Sequence, residues 1–457
     1  MLQSSYKKQL AAKDALIGQL NERVAKLESM VAGLTSELAQ YKTPKNSGNS
    51  SLPPSSDFAP PKRNQSLREK SNKAPGGQEG HKGSTLEMRE SPDELIEYKP
   101  CTCGKCGKDL TDVVAVLVEK RQVVGLPPVV PIYTEHQVYK KTCCCGHVTQ
   151  GSFPNNVNSP IQYGSSVEAM TVYLHSRQYM PYERMAEYFE HAMNLRVSPG
   201  TLNNIVHRFA QKATPAYDAI KRAIEQALYA GSDETGCKVN GKKHWFWTWQ
   251  NDMLTFIIHS ESRGYDTIEV TFPNGLPDTI LVHDRWAAQL KCLAKNHQIC
   301  LVHLLRDLNY VEEFHGSQWA IDLKAIIKDA IDIKEQFTES DYQNPTPQRN
   351  EIEERLQQSL QQSIPLEHNK AITLQNSLTK IQQYILQFLY HAFVPADNNG
   401  SERAVRNVKV KQKVSGQFKS KEGADDFAVI RSIIDTAIKA GKDVYEELLS
   451  IANLVPV

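Results

Sequence analysis

The 457-residue sequence predicts a multidomain protein of the α+β class, and three observations carry that prediction. Apolar residues recur every seven positions over residues 1–42. Cysteines cluster at 101–106 and again at 143–145, on either side of a stretch rich in β-branched residues. Helical periodicity up to residue 226 then gives way to strand-like alternation, and long helices return after residue 303.

A composition of 40% hydrophobic and 23% charged residues is ordinary for a soluble protein. Net charge is only +1, so any affinity for nucleic acid must come from local patches. No apolar run approaches the roughly 18 residues a membrane span needs, and the N-terminus is polar, without a signal-peptide core. Nine cysteines, an odd number with six of them in the two clusters, read as metal ligands in a reducing compartment rather than as a disulfide framework. The expected location is cytoplasmic, with no membrane partner.

In the N-terminal segment, Leu10, Ile17, Val24, Val31 and Leu38 form one column and Leu20, Leu27, Leu34 and Tyr41 the other, with Lys13 interrupting the second. β-Branched residues in one column and Leu in the other favour a parallel two-stranded coiled coil, hence a homodimer or higher oligomer. Residues 43–95, rich in Pro, Ser, Asn and Gly and carrying Lys62, Arg63, Arg68, Lys70, Lys73 and Lys82, read as a disordered basic linker.

Residues 96–158 then read as a zinc-ribbon-like β domain. Cys103-x-x-Cys106-Gly is a good knuckle, because two thiolates three positions apart can clasp one tetrahedral ion while Gly permits the tight turn. The second half is irregular: Cys145-Gly fits, but position 142 is Thr, so Cys143 must pair with Cys145 through a shorter turn. A structural Zn²⁺ on Cys103, Cys106, Cys143 and Cys145 is expected, with Cys101 and Cys144 as spare thiols; a cluster of free thiols is the alternative.

Residues 159–226 predict a helical domain. Ser198 as N-cap and Pro199 at the first helical position start a helix just after "PYERMAEYFEHAMNL", the outline of a helix-turn-helix. A helix pair that only packs fits equally well. From residue 227 "YAGSDETGCKV", "KHWFWTWQ" and "MLTFIIHS" read as three consecutive strands, the first two joined by Asn240-Gly241. "DTILVHDRW" is a buried strand ending at Asp284, and "NHQICLVHLLRDL" a short strand running into a helix. Residues 304–391 form a helical block.

Three carboxylates stand out: Asp233 in the first strand, Asp284 closing a later one, and Glu402 at the head of a basic run. Between Arg403 and Lys421 there are seven Lys or Arg and no acid. Each acid has a plain alternative: Asp233 as a turn residue, Asp284 as a cap for "RWAAQL", Glu402 as part of a capping box begun by Asn399. A carboxylate ending an apolar strand is costly unless paired or metal-bound. Three strands, a helix, a strand with an acid, another strand and a later helix with an acid is the element order of an RNase H-like fold. Phosphodiester cleavage needs an activated nucleophile and a stabilised leaving oxygen, and two Mg²⁺ or Mn²⁺ about 3.5–4 Å apart on acidic ligands serve both. Arg403, Arg406, Lys409, Lys411 and Lys413 would hold DNA phosphates.

The chain resembles insertion-sequence 66 family transposases over nearly its whole length. The blocks "KNSGNSSLPPSSD", "GGQEGHKG", "PYERMAEYF", "VSPGTLNNI", "DETGCKVNGKKHW", "LVHDRW", "CLVHLLRDL", "VPADNNGSERAVRNVKVKQKVSGQF" and "IRSIIDTAIKAGKDV" occur in the order of that family. The resemblance implies a DDE transposase with Asp233, Asp284 and Glu402 as its metal-binding triad. It also implies a catalytic core in two parts, 227–303 and 392–457, split by a helical insertion at 304–391. The second knuckle is one residue short of the usual spacing, and Ser401 stands where Ala is expected. Cys300-x-x-His303 matches a family block too; its residues read as a buried strand end rather than a second zinc site.

The expected function is recognition of an element's terminal inverted repeats, cleavage to free 3′-hydroxyls and joining to target DNA. The expected partners are double-stranded DNA, a second copy, and accessory proteins of the same element if it encodes any. A non-catalytic DNA-binding derivative, or a metal nuclease without strand transfer, are the alternatives.

Overall fold

The computed structural model describes residues 13, 16–31, 33–34, 45–46, 49, 80 and 86–454. The outer heptad positions and the linker cations named above lie outside the described residues. The chain divides into two compact units. The larger holds the described residues before 68 with Glu135–Glu187 and everything from Val197, and the smaller Arg68–Thr134 and Tyr188–Arg196.

Residues 16–31 are helical (α1), and Ile17, Leu20, Val24 and Leu27 of the heptad columns are exposed along it. Later in the larger unit, strands β1 (Lys140–Thr142) and β2 (Val148–Gln150) form a hairpin around Cys143–His147. Helix α2 (Ser165–Val172), a π turn (Tyr173–Arg177), α3 (Tyr182–Met193) and α4 (Pro199–Glu225) follow. Ser198 caps α4 as expected, its hydroxyl accepting the Thr201 N–H at 3.1 Å. Val206, Phe209, Ala213, Ile220 and Ile224 recur at helical spacing on α4 and pack with Trp247, Trp249 and Phe256 of the sheet.

That sheet has five strands in the order β5-β4-β3-β6-β7. β3 (Tyr229–Val239), β4 (Lys242–Gln250) and β5 (Thr255–Ser260) run antiparallel in sequence. β6 (Leu276–His283) and β7 (Ala294–Ile299) lie parallel to β3 on its other side. The turn between β3 and β4 places Asn240 and Gly241 at φ of 46° and 78°, the left-handed pair a two-residue hairpin needs. Side chains of β4 alternate: Trp247 and Trp249 enter the core that contains α4, while Phe246 enters a core with Val408, Phe418 and Phe427.

Short helices α5 (Tyr265–Thr271) and α6 (Ala287–Leu290) flank β6. The helical block is α7 (Leu301–His315), α8 (Gln318–Gln336), α9 (Glu339–Gln343), α10 (Pro347–Gln361) and α11 (Asn369–Thr379). Its Leu304, Leu308, Leu323, Ile327, Leu356 and Leu360 share one core with Ile280 and Val282 of β6. The chain closes with α12 (Asn399–Ser415), α13 (Lys421–Lys439) and α14 (Val444–Ala452). Among the described residues no helix is long and apolar enough to cross a membrane.

In the smaller unit an antiparallel bridge joins Thr102 to Asp109. Residues 114–139, which read from sequence as β-rich, form no strand. Val114, Val118, Val123 and Leu126 along them are almost fully exposed. β-Branched composition favours a ladder only where a partner strand exists to pair with, and here the described chain supplies none.

Arg431 of α13 is almost fully buried: its Nε donates to Asp435 Oδ2 at 3.1 Å and its Nη1 to the Ser176 carbonyl of the π turn at 3.1 Å. Asp435 also accepts Asn407 Nδ2 of α12 at 3.1 Å. Arg431→Met leaves that carboxylate uncompensated and should lower stability by roughly 3–5 kcal/mol in urea unfolding, with much of the loss recovered by adding Asp435→Asn.

Candidate active site

Asp233 and Asp284 are neighbours because β3 and β6 are parallel with Gly231 opposite Val282, so the residues two further on come abreast. Asp233 is in mid-strand, not a turn. Asp284 does not cap the next helix, whose N-cap is Trp286. Its orientation is set by the residues on either side. His283 is buried, and its Nδ1 accepts the Arg285 N–H at 3.1 Å, so its proton sits on Nε2, 3.0 Å from His297 Nδ1. Burial, then the neighbouring His297, holds the His283 imidazole well below its usual pKa, in the neutral form this chain of bonds requires. Arg285 takes a φ of 67°, unusual for a side chain of its size, and its guanidinium binds Asp307 of α7.

Glu402 enters on the first turns of α12. A Cβ on Gly231 would lie 2.6 Å from Ser401 Oγ and 2.7 Å from Asn398 Oδ1, and one on Gly400 would lie 2.4 Å from Gln250 Nε2. A side chain at either position would have to displace these polar groups, so the glycines let the helix start approach β3 and β4 this closely. The capping box from Asn399, the plain alternative for Glu402, is not formed. Asn398 is the N-cap, and the Asn399 N–H is taken by Asp397 Oδ1 at 2.9 Å, which leaves the Glu402 carboxylate for the site. Ser401, in place of the expected Ala, is fully buried and takes Gln250 Nε2 at 3.3 Å without moving the helix off the sheet.

Asn398, which the sequence reading passed over, ties the elements together. Its Nδ2 donates to the Ser232 carbonyl at 2.7 Å and lies 3.4 Å from Asp284 Oδ1, while its backbone N–H meets Cys300 Sγ at 3.3 Å. His303 was read as part of a buried strand end, and it is buried, but it faces the acids. Its Nδ1 is 3.2 Å from Asp284 Oδ1 and its Nε2 3.9 Å from Glu402 Oε1. Burial alone would strip the imidazolium proton, yet Asp284 and then Cys300 outweigh it and push the pKa up to about 11. Arg306 at 4.0 Å and Arg406 at 3.6 Å complete a cationic ring around Glu402.

Asp233 has no such relief. Burial, then Asp284, Glu234 and Glu402, drive its carboxyl well above the usual range. Acids that repel one another at the end of a buried sheet suit a hard divalent cation, which would reverse the sign of that repulsion. A second donor set shares Asp284: its carboxylate, Cys300 Sγ and a His303 nitrogen lie within 4.8 Å of one another. Burial pushes the Cys300 thiol up, which keeps it protonated and a poor ligand, so the oxygen set is the better fit.

Arg403, Arg406, Lys409 and Lys413 are exposed on α12. Lys409 Nζ is engaged by the Gly236 carbonyl at 2.6 Å. Lys411 does not belong with them. It is buried, its Nζ is 3.4 Å from the His175 carbonyl, and burial pulls its pKa down to about 8. Residues two apart face nearly opposite sides of a helix, so alternate lysines cannot form one track.

Each cysteine knuckle is a tight turn in its own right. In the first, the Cys103 N–H donates to the Lys108 carbonyl at 2.8 Å and Gly107, at φ 72°, to the Cys103 carbonyl at 2.9 Å. In the second, the Cys143 N–H donates to the His147 carbonyl at 2.8 Å and Gly146, at φ 85°, to the Cys143 carbonyl at 2.9 Å. Both bonds of the second turn span one residue fewer, which is the shortening the sequence implied. Backbone N–H groups of Cys106 and then Lys105 lower the Cys103 thiol, and that of Cys145 with the Cys145 and Cys144 thiols lowers Cys143. Thiolate character at the first cysteine of each turn is what a zinc ligand requires.

A mixed sheet presenting acids beside exposed cations is compatible with the core of a transposase. Residues 160–426 match the model of the transposase IS66 family, and with more than half of its length inside that match the chain belongs to this family. Residues 4–87 match a family of unknown function, DUF6444. The uncharacterized protein y4jD of Sinorhizobium fredii (strain NBRC 101917 / NGR234) is 23% identical over 406 residues, covering 79% of this chain and 76% of that protein.

Three outcomes are expected. Gly231→Ala should lower stability by about 1–3 kcal/mol and displace α12, measured by urea unfolding and by loss of metal response. Mn²⁺ at a hundredfold excess over its Kd should stabilise the wild type by about 2–3 kcal/mol in thermal melts. Asp233→Asn should melt higher than the wild type in EDTA, because it relieves the repulsion, and lose the Mn²⁺ response.

Proposed function

We propose that the chain is a metal-dependent DDE transposase that binds the terminal inverted repeats of its element, cleaves there to free 3′-hydroxyls and joins them to target DNA. The observation that carries this reading is the approach of three carboxylates from β3, the end of β6 and the start of α12, with Asp233 raised by burial first and then by its acidic neighbours, Asp284 and Glu402 among them. Asp233, Asp284 and Glu402 would hold two Mg²⁺ or Mn²⁺ per site. Bound there, such ions supply Lewis acidity to the attacking and the leaving oxygens of an in-line displacement.

The chain's own groups do the rest. The sheet order supports an RNase H-like core with α7–α11 as its helical insertion. Asn398 and the His283–Arg285 turn hold Asp284 in place. His303, Arg306 and Arg406 keep Asp284 and Glu402 from repelling each other before metal arrives. Arg403, Arg406, Lys409 and Lys413 would bind phosphates of the strand presented to the acids. The α3–α4 pair and the two zinc-knuckle turns, one with Cys103 and Cys106 and one with Cys143 and Cys145, would help to recognise the element ends. The exposed apolar columns of α1 would be covered by a second copy, so that two ends are held in one assembly. Free thiols suit action in the cytoplasm.

The test is strand transfer by purified protein on labelled element-end DNA with Mg²⁺ or Mn²⁺. Asp233→Ala, Asp284→Ala and Glu402→Ala should each reduce product by more than about a hundredfold while still binding the DNA. Robust transfer by any one of the three would remove that residue from the site.

A further inference from the structure

Beside the acids lies a second arrangement that the chemistry above does not use. Trp245 of β4, Arg263 of the β5–α5 loop and Trp286, two residues past Asp284, form a stack. The Arg263 guanidinium carbon is 3.9 Å from the Trp286 ring centre and 5.0 Å from that of Trp245. Lys243 Nζ lies 4.7 Å from the centre of the Trp245 ring.

The stack is built rather than incidental. Arg263 Nε and Nη2 both donate to Glu234 Oε1, at 2.8 and 2.6 Å, and the Arg263 carbonyl accepts the Trp286 Nε1–H at 3.2 Å. The Glu234 side chain is only 5% exposed, whereas the Arg263 side chain is 41% exposed and Trp286 38%. A clamp meant only for packing would bury its rings. Here a buried carboxylate immobilises a cation and Trp286 at the surface, alongside the half-buried Trp245, two residues along the chain from Asp284; Glu234 follows Asp233 on β3, so its side chain leaves the opposite face of the strand.

Flat, rigid π surfaces interleaved with fixed cations bind nucleobases whatever their identity, and the cations take the adjoining phosphates. A base can reach such a surface only after leaving the duplex. We propose that Trp286, held by Arg263 and Trp245, is a stacking platform for an unpaired nucleotide next to the phosphate presented to the acids. Lys243 would hold that nucleotide's phosphate. The inference rests on the transposase reading and specifies the form of DNA its site accepts: a duplex end with a nucleotide out of the helix.

The test uses the full chain in EDTA, so that cleavage plays no part. Fluorescence anisotropy compares a fully paired duplex with the same duplex whose last two nucleotides on one strand are left unpaired, and 2-aminopurine at the unpaired position reports stacking. The wild type should bind the unpaired form about tenfold more tightly and quench 2-aminopurine. Trp286→Phe should retain most of both effects. Trp286→Leu should lose both while binding the paired duplex like the wild type. Equal loss on the two duplexes by Trp286→Leu, or a preference it leaves intact, would overturn the platform. Absence of quenching by the wild type would overturn it too, however the variants fold. Failure to bind either duplex would instead overturn the transposase reading.

Discussion

Glu402 comes near enough to act on Asp233 because the first turn of α12 packs on β3 at Gly231, where the strand carries no side chain. Gly231 on the strand and Gly400 on the helix leave room, and Asn398 uses it to bond the Ser232 carbonyl and approach Asp284. Every other feature of the site depends on this contact. It aligns a helix that begins after the helical block with a strand some 170 residues earlier in the chain. It also fixes which face of α12 meets solvent, and therefore which of its cations are exposed. Arg431 and Asp435 brace the same helix from its far side through Asn407.

The charges around the site divide into two groups with different physics. Asp284 and Glu402 each have cations within 4 Å, from His303, Arg306 and Arg406. Asp233 is buried, has acids for neighbours, and is pushed up by burial first and by those acids second. One carboxylate in three is therefore left seeking a positive partner, and a divalent ion is the compact way to supply it. The cationic residues offset the charge of Asp284 and Glu402, and leave Asp233 without a cation of its own.

Much of the site could be read from the sequence because its signals are local. The Asn240-Gly241 hairpin, the Ser198 cap, the acid at the end of β6 and the shortened second knuckle depend only on a few adjacent residues, and each occurs where its residues predict. The helical block follows from periodicity alone. The misreadings share a cause. Lys411 looked like one of a row because it alternates with Lys409 and Lys413, but on a helix that step turns it inward to His175. The capping box at Asn399 matched in spelling, yet Asp397 supplies the bond instead.

By itself, then, the sequence determined the elements, the three acids and the family blocks, because hydrogen-bonding period, turn chemistry and residue type act over short spans. Tertiary structure alone decided that His303 faces Asp284 rather than only filling a core, that Asn398 joins three elements, and that the valines after residue 113 have no ladder to enter. Those outcomes turn on which segments meet across a hundred or more residues. Such meetings are settled by packing and by the few positions, like Gly231, where space itself is the determinant.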